Sequence, residues 1–113
     1  MFDGRADAAR VADTGWLSLS NTLGSSSIVQ YRRIGSVVSV NIYDTAAAFA
    51  SGTTYTVATL PSVFKPFRDA PGSAFFGGSF TGAIIVTGAG EILLAHVSGA
   101  TRTGCRAAAT FMI

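Results

Sequence analysis

The sequence predicts an all-β domain of about eight short antiparallel strands, arranged as a sandwich or jelly roll. Apolar and polar residues alternate along several runs, most clearly over 37–42, and a period of two marks a strand with one buried face. Turn residues recur at intervals of about ten residues, a spacing typical of sandwiches and barrels. After residue 13, no run has the apolar spacing of an amphipathic helix.

Composition indicates a single domain whose surface is poor in charge. The chain has 113 residues, of which 49% are hydrophobic and 12% are charged, whereas about 25% is usual for soluble domains. Interfaces between permanently associated subunits are apolar and depleted in charge. We therefore expect part of this surface to be buried against other copies of the chain.

Several classes of protein are disfavoured by the same composition. The net charge of +2 is scattered, with Arg32 and Arg33 as the only basic pair, so we expect no nucleic-acid partner. No apolar run approaches the roughly 18 residues of a spanning helix, so we expect no membrane insertion. One cysteine and one histidine exclude an internal disulfide and a metal site built from these residues alone. We expect no cofactor and no metal.

The first half of the chain is predicted to contain a tether followed by three or four strands. Residues 1–13 are rich in alanine and too short for an independent helix, and we interpret them as a tether or the end of an upstream stalk, with a frayed terminus as the alternative. Residues 14–113 form the predicted head domain. Its first elements are a short run at 14–20, a polar loop at 21–27, strands at about 28–34 and 37–43 joined at Gly35, a turn at Asp44 and Thr45, a strand or helical turn at 46–50, and a strand at 53–59.

The second half is predicted to begin with an irregular segment and to end in four strands. Three prolines fall within 61–73, and proline cannot donate to a strand ladder. The strands that follow are expected at about 74–80, 82–87, 91–97 and 106–113. Glycines at 88 and 90 close the hairpin between the second and third, and 99–104 form the last turn.

An enzyme is not expected. Catalysis needs placed acids, bases or metal ligands, and the predicted head carries only three acidic residues, Asp44, Asp69 and Glu91, well apart in sequence. The chain lacks the Gly-x-Ser-x-Gly motif of serine hydrolases. Gly88 and Gly90 join two strands and do not open a helix, so they do not form a phosphate loop.

The order of motifs resembles the C-terminal head domains of bacteriophage tail-fibre and baseplate receptor-binding proteins. A hairpin with a tyrosine, two basic residues and a glycine opens the fold, from Tyr31 to Val38. A strand end at Leu60-Pro61 then precedes a loop with Phe67 and Arg68. A glycine-closed hairpin at 87–91 and an apolar C-terminal strand complete the pattern. The chain departs from it in being rich in alanine and glycine and in beginning just upstream of the head.

This resemblance implies a non-enzymatic homotrimeric head at the tip of a phage tail in the virion, made in the host cytoplasm. It implies host adhesion through a cell-surface saccharide or teichoic acid, and attachment to an upstream tail or baseplate protein. Two alternatives remain open: a structural or decorating tail protein without a ligand, and a monomeric carbohydrate-binding module. The second would need several of Trp16, Tyr31, Tyr43 and Tyr55 to face solvent in a row.

Aromatic faces stack on sugars, and planar polar groups fix sugar hydroxyls. On this basis the candidate saccharide-binding residues are Trp16, Tyr43, Asp44, Arg68, Asp69, His96 and Arg102.

Five of the seven candidates also have a purely structural interpretation. Trp16 and His96 fit packing in the core or between subunits, Asp44 fits a turn, and Arg102 fits a solvated loop. Phe64 and Phe67 are hypothesised to plug one end of the sandwich while Arg68 stays in solvent. Phe75 and Phe76 face opposite sides, so one of them is expected at a subunit contact if both are buried. Cys105 is expected to be a small buried side chain.

Overall fold

Alternation of apolar and polar side chains produces the strands of this protein. The computed structural model describes residues 13–24 and 26–113. The strands in this part of the chain are β1 (Leu17–Ser18), β2 (Ile28–Ile34), β3 (Val37–Phe49), β4 (Tyr55–Thr59), β5 (Ala70–Phe76), β6 (Phe80–Val86), β7 (Glu91–Ala95) and β8 (Arg102–Met112). The only helical element in this part of the chain is one 3₁₀ turn, Ser62–Phe64. The predicted all-β class is confirmed.

The eight strands form one antiparallel sheet in the order β1-β2-β3-β8-β5-β6-β7-β4. The sheet curls on itself, as hydrogen bonds between the segment after β1 and the opposite edge strand, β4, show. The Thr22 amide donates to the Val57 carbonyl (2.9 Å), and the Thr22 hydroxyl donates to the Thr56 carbonyl (3.0 Å). The inner face of the sheet therefore encloses a core.

The core follows directly from the pairing of β3 with β8. Val40 lies opposite Ala109, and Val38 lies opposite Phe111. Since paired residues share a face of the sheet, the buried positions of both strands point inward together. Phe49 and Phe76 close the same core, with ring centroids 5.1 Å apart in an edge-on arrangement. Most of the remaining core residues come from β2, β4, β6 and β7: Val29, Tyr31, Val57, Ala58, Ile84, Val86, Ile92 and Leu94.

The predicted turn at Asp44 and Thr45 is wrong, because β3 continues through both residues to Phe49. The register against β8 shifts between Asp44 and Ala48. A bulge of this kind inserts residues without ending the strand. The Asp44 carboxylate holds it by accepting the Ala47 amide (2.8 Å).

The predicted irregular segment at 61–73 is also too long, because β5 begins at Ala70 and contains Pro71. Pro71 is tolerated because β5 pairs with β8 only from Ser73 onward. On that side Pro71 occupies an edge position, where no ladder donor is required.

Two further boundaries differ from the predictions. Phe80 was expected to end a strand that starts at 74, yet it begins β6 after the turn at 77–79. The last turn was expected to run to Gly104, yet β8 begins at Arg102, because Arg102 and Thr103 pair with Phe49 and Ala48 across the bulge. Gly104 itself has a φ of 84°, which only glycine adopts without strain. Apart from Asp13, the predicted tether at 1–13 lies outside the described residues.

A charge on the inner face of β3 should prevent folding. Val40 is fully buried, and burial of an unpaired carboxylate costs several kcal/mol, comparable with the about 5–15 kcal/mol that stabilises a domain. Val40→Asp is therefore expected to show no cooperative thermal transition by circular dichroism. Asn41→Asp is the matched control, since Asn41 is exposed on the same strand, and it should melt like the wild type. A Val40→Asp protein with a normal melt would contradict the assignment of faces.

Candidate functional site

The outer face of the sheet carries a row of large side chains at the level of Tyr43. Ile28 lies opposite Tyr43, Tyr43 opposite Arg106, and Arg106 opposite Phe75. The four residues therefore sit side by side across β2, β3, β8 and β5, in the outward phase of each strand. Tyr43 and Phe75 remain 41% and 48% exposed, so two aromatic side chains face solvent on either side of Arg106.

Two adjoining depressions lie along this row and share Phe75 and Arg106 in their walls. One has a volume of about 450 Å³ and is lined on one side by Gln30 and Asn41. The other has a volume of about 510 Å³ and extends to Thr103 and Gly78. We call the two depressions together the outer groove, defined by Gln30, Asn41, Tyr43, Phe75 and Arg106. Its size lies within the roughly 300–1,000 Å³ of small-molecule sites.

The outer groove contains one cation and two aromatic rings. The Arg106 guanidinium carbon lies 4.9 Å from the centroid of the Tyr43 ring, a cation–π contact that holds the guanidinium over the ring. Within the described part of the chain Arg106 forms no salt bridge. A planar cation, two aromatic faces and two amides thus converge on one open surface, a set that can stack on a sugar ring and bond its hydroxyl or acidic groups.

Asp44 borders the outer groove but directs its carboxylate inward. It is buried and accepts hydrogen bonds from the Ser27 hydroxyl and the Ala47 amide. Both oxygens are therefore engaged by donors of the chain itself. These two hydrogen bonds connect the loop before β2 to the bulge in β3.

Cys105 lies opposite Asp44 on β8 and is also buried, as expected for a small core side chain. Burial, together with the smaller effect of the nearby Asp44 charge, raises the pKa of the Cys105 thiol to about 12. The side chain is thus a neutral thiol at physiological pH. It lacks the thiolate character of a nucleophile.

His96 and Arg102 meet through Ser98 at one end of the sheet. His96 Nε2 lies 2.6 Å from the Phe49 carbonyl oxygen. Because a carbonyl only accepts, Nε2 donates, and Nδ1 accepts from the Ser98 hydroxyl (2.9 Å). Arg102 Nε in turn donates to the Ser98 hydroxyl oxygen (2.8 Å), and its guanidinium lies 3.4 Å from the Phe80 ring centroid. The buried His96 therefore fixes loop 96–102, and Arg102 covers it.

Arg68 and Asp69 belong to the loop between β4 and β5. Phe64 in this loop packs against Tyr31, with ring centroids 5.1 Å apart, as hypothesised. Phe67 does not plug the core and is 89% exposed. The Arg68 guanidinium lies 5.9 Å from the Phe67 ring, and Asp69 accepts the Gly88 amide (2.9 Å). The loop is thus pinned to the β6–β7 turn.

Trp16 precedes the edge strand β1 and is partly exposed. The chain is anchored just before it by Asp13, which forms a two-point ion pair with Arg32 (2.7 and 3.0 Å). These hydrogen bonds, with one from the Gly15 amide, lower the pKa of Asp13 to about 2. Asp13 therefore stays ionised at any physiological pH.

The seven candidate residues thus occupy four separate places. Trp16 lies beside the edge strand β1, and Tyr43 lies with Asp44 at the outer groove. Arg68 and Asp69 lie in the β4–β5 loop, and His96 and Arg102 lie at the end of the sheet opposite that loop. The structure adds Gln30, Asn41, Phe75 and Arg106 beside Tyr43. Arg106 interrupts an apolar strand in the phase of Ala108 and Thr110. That alternation was the available signal that it points outward.

No cluster of three metal-ligating side chains occurs in residues 13–24 and 26–113. In the same part of the chain, no helix has the length and apolarity needed to cross a membrane.

Comparison with known proteins gives a likeness to a solved structure. No family model matches the chain, and no curated protein does. Among solved structures, the crystal structure of the head domain of phage bIL170, one of the receptor-binding domains of lactococcal phages, is similar to it. The TM-score is 0.62, and the likeness covers 88% of this chain and 97% of that chain at 22% sequence identity. The predicted resemblance to a phage head domain is therefore confirmed for the fold.

The thiol of Cys105 should be unreactive in the native protein. Its pKa is raised to about 12 and it is buried, so at pH 8 a maleimide or Ellman's reagent should label it only after denaturation. Mass spectrometry of the native and the unfolded protein measures this. Rapid stoichiometric labelling of the folded protein would contradict the inward position of Cys105.

Proposed function

We propose that this chain is the receptor-binding head of a bacteriophage tail, which adheres to the host through a cell-surface saccharide or teichoic acid and catalyses no reaction. The observation that carries the proposal is the fold, shared over nearly the whole length with the bIL170 head domain. In this proposal the head is a homotrimer at the tail tip of the virion. Residues 1–13 tether it to an upstream tail or baseplate protein.

The chemistry of the outer groove supports a saccharide as ligand. Tyr43 and Phe75 offer aromatic faces on either side of Arg106, and Asn41 and Gln30 offer amide donors and acceptors beside Tyr43. The Arg106 guanidinium presents several donors in one plane. An acidic sugar or a phosphate of teichoic acid would neutralise its charge.

The position of the outer groove fits a head that is attached at one end. Asp13 forms a bridge with Ile34, so the preceding chain joins the head beside the β2–β3 turn. The depression of about 510 Å³ in the outer groove reaches Gly78 and Thr103, which lie by the β5–β6 turn and the start of β8, at the other end of the strands. A ligand there would approach from the side away from the attachment.

The monomeric carbohydrate-binding module is less well supported. It required a row of exposed aromatic residues from Trp16, Tyr31, Tyr43 and Tyr55. Tyr31 is buried, and the Tyr55 hydroxyl accepts the Ala50 amide (2.7 Å) from a partly buried position. The row is therefore interrupted at two of its four members.

Removal of the outer-groove cation should weaken binding to the host surface. Arg106→Ala is expected to lower the affinity for cell-wall saccharide about 10-fold or more, since a hydrogen bond to a charged group contributes about 1.5–3 kcal/mol. Phe75→Ala should weaken binding as well. Binding is measured by retention of the labelled chain on a panel of purified Gram-positive cell walls, and then by calorimetry with polysaccharide released from the walls that retain it.

Thr110→Ala is the matched control, because Thr110 is exposed on the same strand and face, four residues from Arg106. It should bind like the wild type. Arg68→Ala and Arg102→Ala test the other two positively charged places in the same assay. Loss of binding in either of these with unchanged binding of Arg106→Ala would move the site away from the outer groove. A wild-type chain that no cell wall retains would favour the ligand-free tail protein.

A further inference from the structure

On the side of the outer groove that is nearer the β2–β3 turn, the next outward row of the sheet consists of small and polar residues. Asn41 lies opposite Ala108, and Ala108 lies opposite Ser73. All three residues are exposed and line the depression of about 450 Å³. We call Asn41, Ala108 and Ser73 the groove floor. Its middle position, Ala108, contributes only a methyl group, so the groove floor is open above β8.

The polar side chains of the groove floor are available to a ligand. In the following outward row, the hydroxyl oxygens of Ser39 and Thr110 lie 3.4 Å apart and bond each other. Asn41 and Ser73, in contrast, form no side-chain hydrogen bond within residues 13–24 and 26–113. Their strands flank β8, and neighbouring strands are about 4.8 Å apart, so the Cα atoms of the two residues are separated by roughly 10 Å.

An apolar centre bordered by hydrogen-bonding groups is complementary to one face of a pyranose ring. Such a ring presents C–H groups on its face and hydroxyl groups around its edge. A ring that lies flat on the methyl group of Ala108 would direct hydroxyl groups on its two sides toward Asn41 and Ser73. Phe75, the next outward residue after Ser73 on β5, would form an aromatic wall beside the ring.

The charge of the lining favours a sugar ring over a chain of polyol phosphates. Arg106 is the one charged residue among the described residues that line this depression, and its guanidinium lies over the Tyr43 ring. Arg32, further along the outer face, is already paired with Asp13 at 2.7 Å. A poly(glycerol phosphate) chain has an anion on every repeat, so most of its phosphates would find no cation here. A ring with no more than one acidic group matches the single guanidinium.

We propose that Ala108 determines the specificity of the outer groove, because its methyl group is the surface on which one pyranose ring lies flat between Asn41 and Ser73. The inference rests on the proposed function and selects, from the two kinds of ligand named there, the sugar ring over the linear polyol phosphate. A larger side chain at position 108 occupies the place of the ring, while Arg106 and Phe75 stay where they are.

Filling the groove floor should weaken binding without unfolding the chain. Ala108→Leu is expected to lower the affinity for polysaccharide released from a retaining cell wall about 10-fold or more, since a misfit of one or a few carbon atoms in a pocket has effects of this size. Calorimetry measures the affinity. Thr110→Leu is the matched control, because Thr110 is the next outward residue of β8 and does not line the depression, and it should bind like the wild type. Circular dichroism melts verify that both variants fold.

Chemical treatment of the same polysaccharide tests the ligand without any variant. Periodate followed by borohydride opens sugar rings that carry adjacent hydroxyl groups, and it should abolish binding to the wild type. A 1,3-linked poly(glycerol phosphate) has no adjacent hydroxyl groups and resists this treatment. Added as a competitor, it should not displace the untreated polysaccharide.

The outcomes separate this inference from the proposed function. Wild-type affinity of Ala108→Leu, an equal loss in Thr110→Leu, binding that survives periodate, or displacement by poly(glycerol phosphate) would overturn the role of Ala108. If Arg106→Ala still loses binding in the same calorimetry, the proposed function stands without that role. A wild-type chain that no cell wall retains contradicts both.

Discussion

The pairing of β3 with β8 determines the rest of the structure. Ten residue pairs join these two strands, and each pair assigns two side chains to the same face. Because side chains alternate along a strand, a shift of one residue would exchange the two faces completely. The apolar set Val38, Val40 and Ile42 then has to point inward, and Asn41 and Tyr43 have to point outward.

The same register creates both the core and the outer groove. On the inner face, β8 contributes small residues such as Ala107 and Ala109, which leave room for the aromatic side chains of the opposite strands. On the outer face, the identical pairing places Arg106 between Tyr43 and Phe75. Polar groups that the register turns inward are satisfied locally, since Asp44 binds the amide of its own bulge and His96 binds the Phe49 carbonyl and Ser98. Neither residue therefore carries an unsatisfied polar group in the core.

The sequence predicts correctly those strands and turns that are specified by neighbouring residues. The hairpin around Gly35 and the alternation over 37–42 agree with β2 and β3, because the turn and the period are both contained in a dozen residues. The extension of β3 past Asp44, and the early start of β8 at Arg102, depend on each other across more than 50 residues, and no local signal announces them. Pro71 enters a strand for a similar reason, since only the topology makes its position an edge.

The candidate site is predictable only in part, because it too depends on the pairing of strands that are distant in sequence. Tyr43 is a candidate from the sequence as an aromatic residue at a strand end, but its neighbours Arg106 and Phe75 lie far away in sequence and come together only because β8 inserts between β3 and β5. Asp44 and His96 were attractive as polar groups, and the inward phase of their strands buries both. Residue type thus identified possible ligand contacts, and strand pairing decides which of them reach the surface.

The most direct test of the account is an NMR titration of the isotope-labelled chain with a soluble cell-wall polysaccharide that it binds. The account predicts that the perturbed signals form one contiguous set around Gln30, Asn41, Tyr43, Phe75 and Arg106, with the buried Val40 and the loop residue Phe67 unaffected. Perturbations confined to the β4–β5 loop or to loop 96–102 would contradict it, because the ligand would then bypass the surface that the β3–β8 register builds.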